Sequence, residues 1–176
     1  MSRRLPAIVL LAIVGVGAIY FFLIRDTVVT PTLVPTNVAA TIGEGEDAVA
    51  VTADGAIIRW WPLSEEPELP RLPLSEPPKG GRLGGPMLEQ ARVLGAAPDA
   101  LRPYLAGSYY GESGVDVETT TGIELRFGEA SQAALKWKAA AAVLADPEIE
   151  ALDYVDLHAP TRPAYGGSGH TLPPAP

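Results

Sequence analysis

The chain contains one segment that leaves little choice of environment. Leu5 to Ile24 is a run of 20 uncharged, mostly apolar residues. A helix of that length spans about 30 Å, the thickness of the hydrocarbon layer of a bilayer. Arg3 and Arg4 precede the run, and Arg25 and Asp26 cancel one another after it. The positive-inside rule then places residues 1–4 in the cytoplasm and the chain after 26 outside. Tyr20, Phe21 and Phe22 suit the outer interface. A cleaved secretory signal would have a shorter apolar core and an A-x-A-like end. This run ends in Tyr-Phe-Phe-Leu-Ile-Arg and has no lipobox cysteine. The expectation is therefore an uncleaved transmembrane helix over 5–24.

All 21 acidic residues and 11 of the 13 basic ones follow that run, so the remainder is strongly acidic. Such a surface does not neutralise phosphates, which excludes nucleic acid as a natural partner. With no cysteine in 176 residues, disulfides and thiolate metal sites are excluded too. The 18 glycines and 18 prolines require loops, linkers or tails.

Residues 25–47 read as a spacer. Pro31 and Pro35 break any helix there, leaving an extended path with room for one short strand. The Gly-Glu-Gly-Glu-Asp run lacks the spaced pattern of a calcium loop. Ala48 to Trp61 reads as a β-hairpin: Val49 and Val51 alternate, Asp54-Gly55 turns, and Ile57, Ile58, Trp60 and Trp61 return. Leu69-Pro70-Arg71-Leu72-Pro73-Leu74 cannot be a central strand, because prolines lack the amide, but suits an edge or extended connection.

Pro86 opens a helix with Leu88, Ala91, Val93 and Leu94 on one face and Gly95 at its end. Pro98 to Leu105 reads as a second short helix. Tyr109 to Phe127 is a further hairpin turning at Thr119–Gly122, with Ile123, Leu125 and Phe127 on one face and Glu124 and Arg126 on the other. Ser131 to Ala145 is the clearest helix, its apolar face formed by Ala133, Ala134, Trp137, Ala141 and Leu144, with Lys136 and Lys138 off the core side. Leu152 to Leu157 is a last strand, and residues 166–176 a disordered tail. The fold class expected is α+β: the transmembrane helix, then a mostly antiparallel sheet with helices packed on one face.

Catalytic signals fail on inspection. Gly167-Ser168-Gly169-His170 lacks the G-x-S-x-G spacing and the strand–turn–helix context of a nucleophile elbow, and so does Gly111-Glu112-Ser113-Gly114. There is no phosphate-binding G-x-x-x-x-G-K-[ST] loop. Two histidines and scattered carboxylates give no metal site. No cofactor and no small-molecule substrate are expected. Recognition by a sheet edge remains, with the strand around Tyr154 as the candidate edge. The residues alone leave open whether Tyr154 is an interface anchor or a half-buried core residue.

Taken in order, three stretches resemble the C-terminal β domain of the bacterial division protein family FtsQ/DivIB. They are Gly122-Ile123-Glu124-Leu125-Arg126-Phe127-Gly128, the helix with Lys136 and Lys138, and Leu152-Asp153-Tyr154-Val155-Asp156-Leu157. The Ala53-Asp54-Gly55 turn and Leu69-Pro70-Arg71-Leu72 resemble a further family region, and the N-in anchor matches. The resemblance covers the anchor and a β domain over 48–165. It implies a non-enzymatic scaffold at the division septum, in the inner or plasma membrane, with its C-terminal domain outside the cytoplasm. It implies FtsB-like and FtsL-like bitopic partners, the former bound by strand addition beside the last strands. Tyr154, Val155, Asp156, Leu157, His158, Ala164 and Tyr165 would form that site. His158 stands where the family often has Arg. Family members also carry a POTRA domain between anchor and β domain; the interval 25–47 is too short for a domain that folds unaided. Two other readings stand beside this one: a membrane-anchored enzyme such as a cell-wall hydrolase, and a generic secreted binding domain.

Overall fold

The structure is a computed structural model that describes residues 38–61 and 69–173, all within the unit Thr36–Pro176. The expected cytoplasmic start and the transmembrane helix over 5–24 lie outside the described residues. Among those described, no helix is long and apolar enough to cross a membrane.

The architecture is α+β. Strands β1 (Val38–Ile42), β2 (Val49–Thr52) and β3 (Ile57–Ile58) form one antiparallel sheet. Helix α1 (Gly85–Gly95) follows. Strands β4 (Leu105–Gly111), β5 (Gly114–Thr119) and β6 (Glu124–Gly128) come next, then helix α2 (Ala133–Leu144), β7 (Ala151–Asp156) and β8 (Ala164–Thr171). The second sheet runs β4-β5-β6-β7-β8, antiparallel except for the β6–β7 pair, which α2 joins as a parallel crossover.

The two sheets are stitched into one surface by the proline-containing segment 69–74. Arg71 bridges Thr41 of β1 on one side and Gly107 of β4 on the other, both in parallel. Arg71 N–H donates to the Ala106 carbonyl (3.1 Å), while Leu72 N–H donates to Thr41 (2.9 Å). The segment is thus extended, as its prolines allow, but central rather than at an edge. Its two working amides sit between Pro70 and Pro73, so the missing N–H groups fall where no ladder bond is required.

Both helices cover one face. Val117, Ile123, Leu125, Phe127 and Val155 are wholly buried against them, with Val93, Leu94 and Trp137 from the helices. The Phe127 and Trp137 rings meet at 4.7 Å. The Trp137 indole N–H donates to the Val93 carbonyl (2.7 Å), which ties α2 to α1. Burying two such rings contributes several kcal/mol, on the order of 2–3 each.

Several expectations need correction. The return strand of the first hairpin is only Ile57–Ile58, and Trp60 stands 77 % exposed. Pro98–Leu105 is not a helix: a 3-10 turn covers Arg102–Tyr104, and Leu105 already belongs to β4. The buried face of α2 is Ala133, Lys136, Trp137, Ala140 and Val143. Ala134 is exposed, because with alanine on every side only Trp137 selects the face. The chain beyond Gly166 is not disordered up to Thr171; it is strand β8, paired along β7. Backbone pairing needs no side chain, so glycines that lower strand propensity do not prevent it when a partner strand is waiting.

Candidate functional site

The border of the second sheet is β8, not the strand that carries Tyr154. Strand β7 lies between β6 and β8, so the expected edge is displaced by one strand. At the opposite border, β3 is short, and the Gly81–Arg82 segment occupies its flank through Ala56–Arg82 pairing and the Ile57 N–H to Gly81 bond (3.1 Å). Among the described residues, no strand pairs with the outer side of β8.

Register tells which side chains flank that border. Tyr154 is opposite Gly166, Val155 opposite Tyr165, and Asp156 opposite Ala164. Val155 is wholly buried on the helix-covered face, so Tyr165 rises on that side, 48 % exposed. Ala164 and Gly166 share the open face with Asp156 and Tyr154. The Tyr154 ring leans across β8: a Cβ placed on Gly166 would lie 3.3 Å from the hydroxyl oxygen and 3.5 Å from the ring. Tyr154 therefore reaches the border from one strand inward, over a residue with no side chain to stand in its way. A tyrosine stands on each face of the free edge.

Behind Tyr154 the open face carries a polar network. The Arg126 guanidinium sits 4.4 Å from the centroid of the Tyr154 ring, a cation–π geometry. Arg126 also donates to Glu124 through Nη2 (2.8 Å) and Nε (3.1 Å). The Tyr109 hydroxyl donates to the same carboxylate. These bonds hold Glu124 below its ordinary pKa, the Arg126 contribution being the largest, and Arg126 is raised in turn. Tyr109 is pushed up by burial and by Glu124. Asp116, opposite Arg126, is raised by burial and then by Glu124. Burial works to raise Asp156 as well, but hydrogen bonds from the His158 backbone (3.0 Å) and ring (2.8 Å) outweigh it and leave it lowered. The network fixes Arg126, and Arg126 backs the tyrosine.

The seven residues expected at the site divide accordingly. Ala164 and Tyr165 lie on the edge strand, and Tyr154 reaches over it. Asp156 and His158 are paired with each other on the open face. Val155 and Leu157 are fully buried core residues and present no surface. Gly166 and Arg126 were not singled out for the site from the sequence. A glycine whose use is to leave space, and an arginine whose partner is 28 residues away, leave no local signature.

The family model for "Cell division protein FtsQ/DivIB, C-terminal" matches residues 40–158, more than half of the chain. The chain belongs to the FtsQ/DivIB family. No curated protein matches it. The FtsQ/DivIB match includes Tyr154, Asp156 and His158 and stops before β8, so the free edge lies just beyond the matched stretch. Membership gives the chain a role in cell division, in a family of non-catalytic proteins, and points to the division septum and to partners in the division complex.

Proposed function

We propose that this FtsQ/DivIB chain is a non-enzymatic, single-pass scaffold of the division machinery, its β domain outside the cytoplasm. It binds an FtsB-like protein by adding a strand from that partner to the edge of β8, with an FtsL-like protein in the same complex. The observation that carries the reading is the unpaired border of β8 flanked by Tyr154 on one face and Tyr165 on the other. Strand addition takes affinity from main-chain hydrogen bonds and specificity from side-chain contacts on alternate faces. Tyrosine supplies large contact area at low entropic cost. The apolar run at 5–24 supports tethering, which confines the docking edge near the bilayer.

The test is capture of the FtsB-like and FtsL-like proteins of the same cell by the full chain in detergent. Tyr154→Glu should abolish capture while circular dichroism and thermal unfolding stay close to those of the unaltered chain. Undiminished capture by a folded Tyr154→Glu chain would refute the site.

A further inference from the structure

Strand β8 is not a continuous edge. Between Tyr154–Gly166 and Leu152–His170 its register with β7 shifts. Three residues, Gly167, Ser168 and Gly169, stand opposite the single residue Asp153. Such a bulge leaves residues out of the ladder, bends the strand and raises its twist. Here it is built in rather than incidental. Gly167 has φ +90°, in the left-handed region that favours glycine. The Gly169 N–H donates to Asp153 Oδ1 at 2.7 Å. A Cβ on Gly167 would fall 2.1 Å from the Asp153 carboxylate, and one on Gly169 would fall 2.5 Å from it. The carboxylate thus fills the concavity that the two glycines leave, and it takes an amide that regular pairing would have used elsewhere.

We infer that the Asp153-clamped bulge is a stop that confines a docked strand to the Ala164–Gly166 half of β8. The inference rests on the strand-docking reading above and adds length and register to it. An incoming strand pairs in step with the residues before the bulge, where both tyrosines also lie. At Gly167 the border turns, and the outward row of amides and carbonyls is broken. Beyond it only His170 and Thr171 remain in the strand, too short a stretch to hold a partner alone. The same break blunts an otherwise long glycine-rich border that a second copy of the chain could pair with. Asp153 is in this sense a positioning residue: it touches no partner and sets where pairing ends.

Single-residue amide hydrogen exchange decides the matter. The full chain in detergent is compared with and without the extracytoplasmic segment of the FtsB-like protein of the same cell. Added protection of about tenfold or more is expected within Ala164–Gly166, with no gain at His170 and Thr171. Deleting Gly167 and Ser168 restores one-to-one pairing with β7, and the protected stretch should then extend through Thr171. Continuous protection through Thr171 in the unaltered chain overturns the inference and leaves strand docking intact. So does a deletion variant that folds but keeps protection confined to Ala164–Gly166. Protection gained nowhere in β8 overturns the docking reading itself, and this inference with it. The unaltered chain suffices if the deletion variant does not fold.

Discussion

Replacing Lys136 by Met should destabilise the domain by about 2 kcal/mol, because it strands two carbonyls that the ammonium now serves. Lys136 is 4 % exposed and has no carboxylate within ion-pairing distance among the described residues. Its ammonium donates to the Phe127 carbonyl at 2.7 Å and the Glu129 carbonyl at 2.8 Å, closing the end of β6 onto α2. Met keeps the apolar stem but strands both acceptors. The Phe127 carbonyl is shut away from water, and leaving it unpaired costs about 1–3 kcal/mol. The Glu129 carbonyl is nearer the surface and costs less. Removing a buried charge offsets part of the loss. Urea unfolding of the chain reads the difference as a lower midpoint at unchanged m. The pH profile supplies an independent check. Burial holds the Lys136 ammonium below its ordinary 10.5. The folded chain therefore binds fewer protons than the unfolded one between the lowered value and 10.5, so this group makes stability rise with pH across that window. Lys136→Met should lose that rise. A midpoint shift worth less than about 0.5 kcal/mol would show that the ammonium does not hold these carbonyls, and a rise that survives the substitution would show that Lys136 is not the group behind it.

Three further outcomes are expected. Gly166→Ala should leave partner capture nearly unchanged, because its Cβ meets the Tyr154 ring at 3.3–3.5 Å. Gly166→Val should push the ring aside and weaken binding by about 1–2 kcal/mol in calorimetric titration; equal affinities for the two variants would refute the role given to Gly166. Asp54 accepts hydrogen bonds from Thr52 and Arg82 at the first hairpin turn, and its carboxyl is lowered to about 2. Its stabilising contribution is complete above 3.8 and is lost as pH falls from 3.8 to about 2. NMR titration should find its midpoint near 2, and a midpoint near 3.8 would contradict the bonding. Trp137→Phe should cost about 1–3 kcal/mol in urea unfolding, because it leaves a void where the larger ring packed and removes the indole bond to the Val93 carbonyl, which then keeps the Ala96 N–H (3.2 Å); an unchanged midpoint would mean that the indole does not join the helices.

Much of the fold was legible where local chemistry and tertiary need agree. Asp54-Gly55 turns the first hairpin: the Gly55 N–H returns to Thr52 (2.9 Å) and φ at Gly55 is +82°. The alternation of Ile123, Leu125 and Phe127 against Glu124 and Arg126 marked a strand with one dry face, and β6 has one. Legibility failed where tertiary contacts overrule local preference. The prolines of 69–74 argue against a central position, yet both of its neighbours are satisfied by Arg71 and Leu72. The glycines of β8 argue for disorder, yet β7 supplies the pairing. Lysine in a helix argues for solvent, yet two carbonyls nine and seven residues upstream receive Lys136. For the candidate site, the aromatic residues were visible in the sequence. The strand on which the border falls was not, since it depends on how many partners β7 finds.

The seam at 69–74 has a mechanical side. A pull applied between β1 and β8 runs across the strands, not along them, so it would open the sheet like a zip. At the seam, among the described residues, two backbone bonds hold β4: Arg71 to Ala106 and Ser108 to Arg71 (3.2 Å). What resists is α1, which packs on β1 and β2 as well as on β4 and β5 and so straps the weak line from above. The Arg102 guanidinium donates both to the Gly95 carbonyl at the end of that strap (3.4 Å) and to the Val38 carbonyl (2.9 Å), and so fastens the one to the other. Placed across the weak line between the two strand sets, the helix serves as the tendon of the sheet.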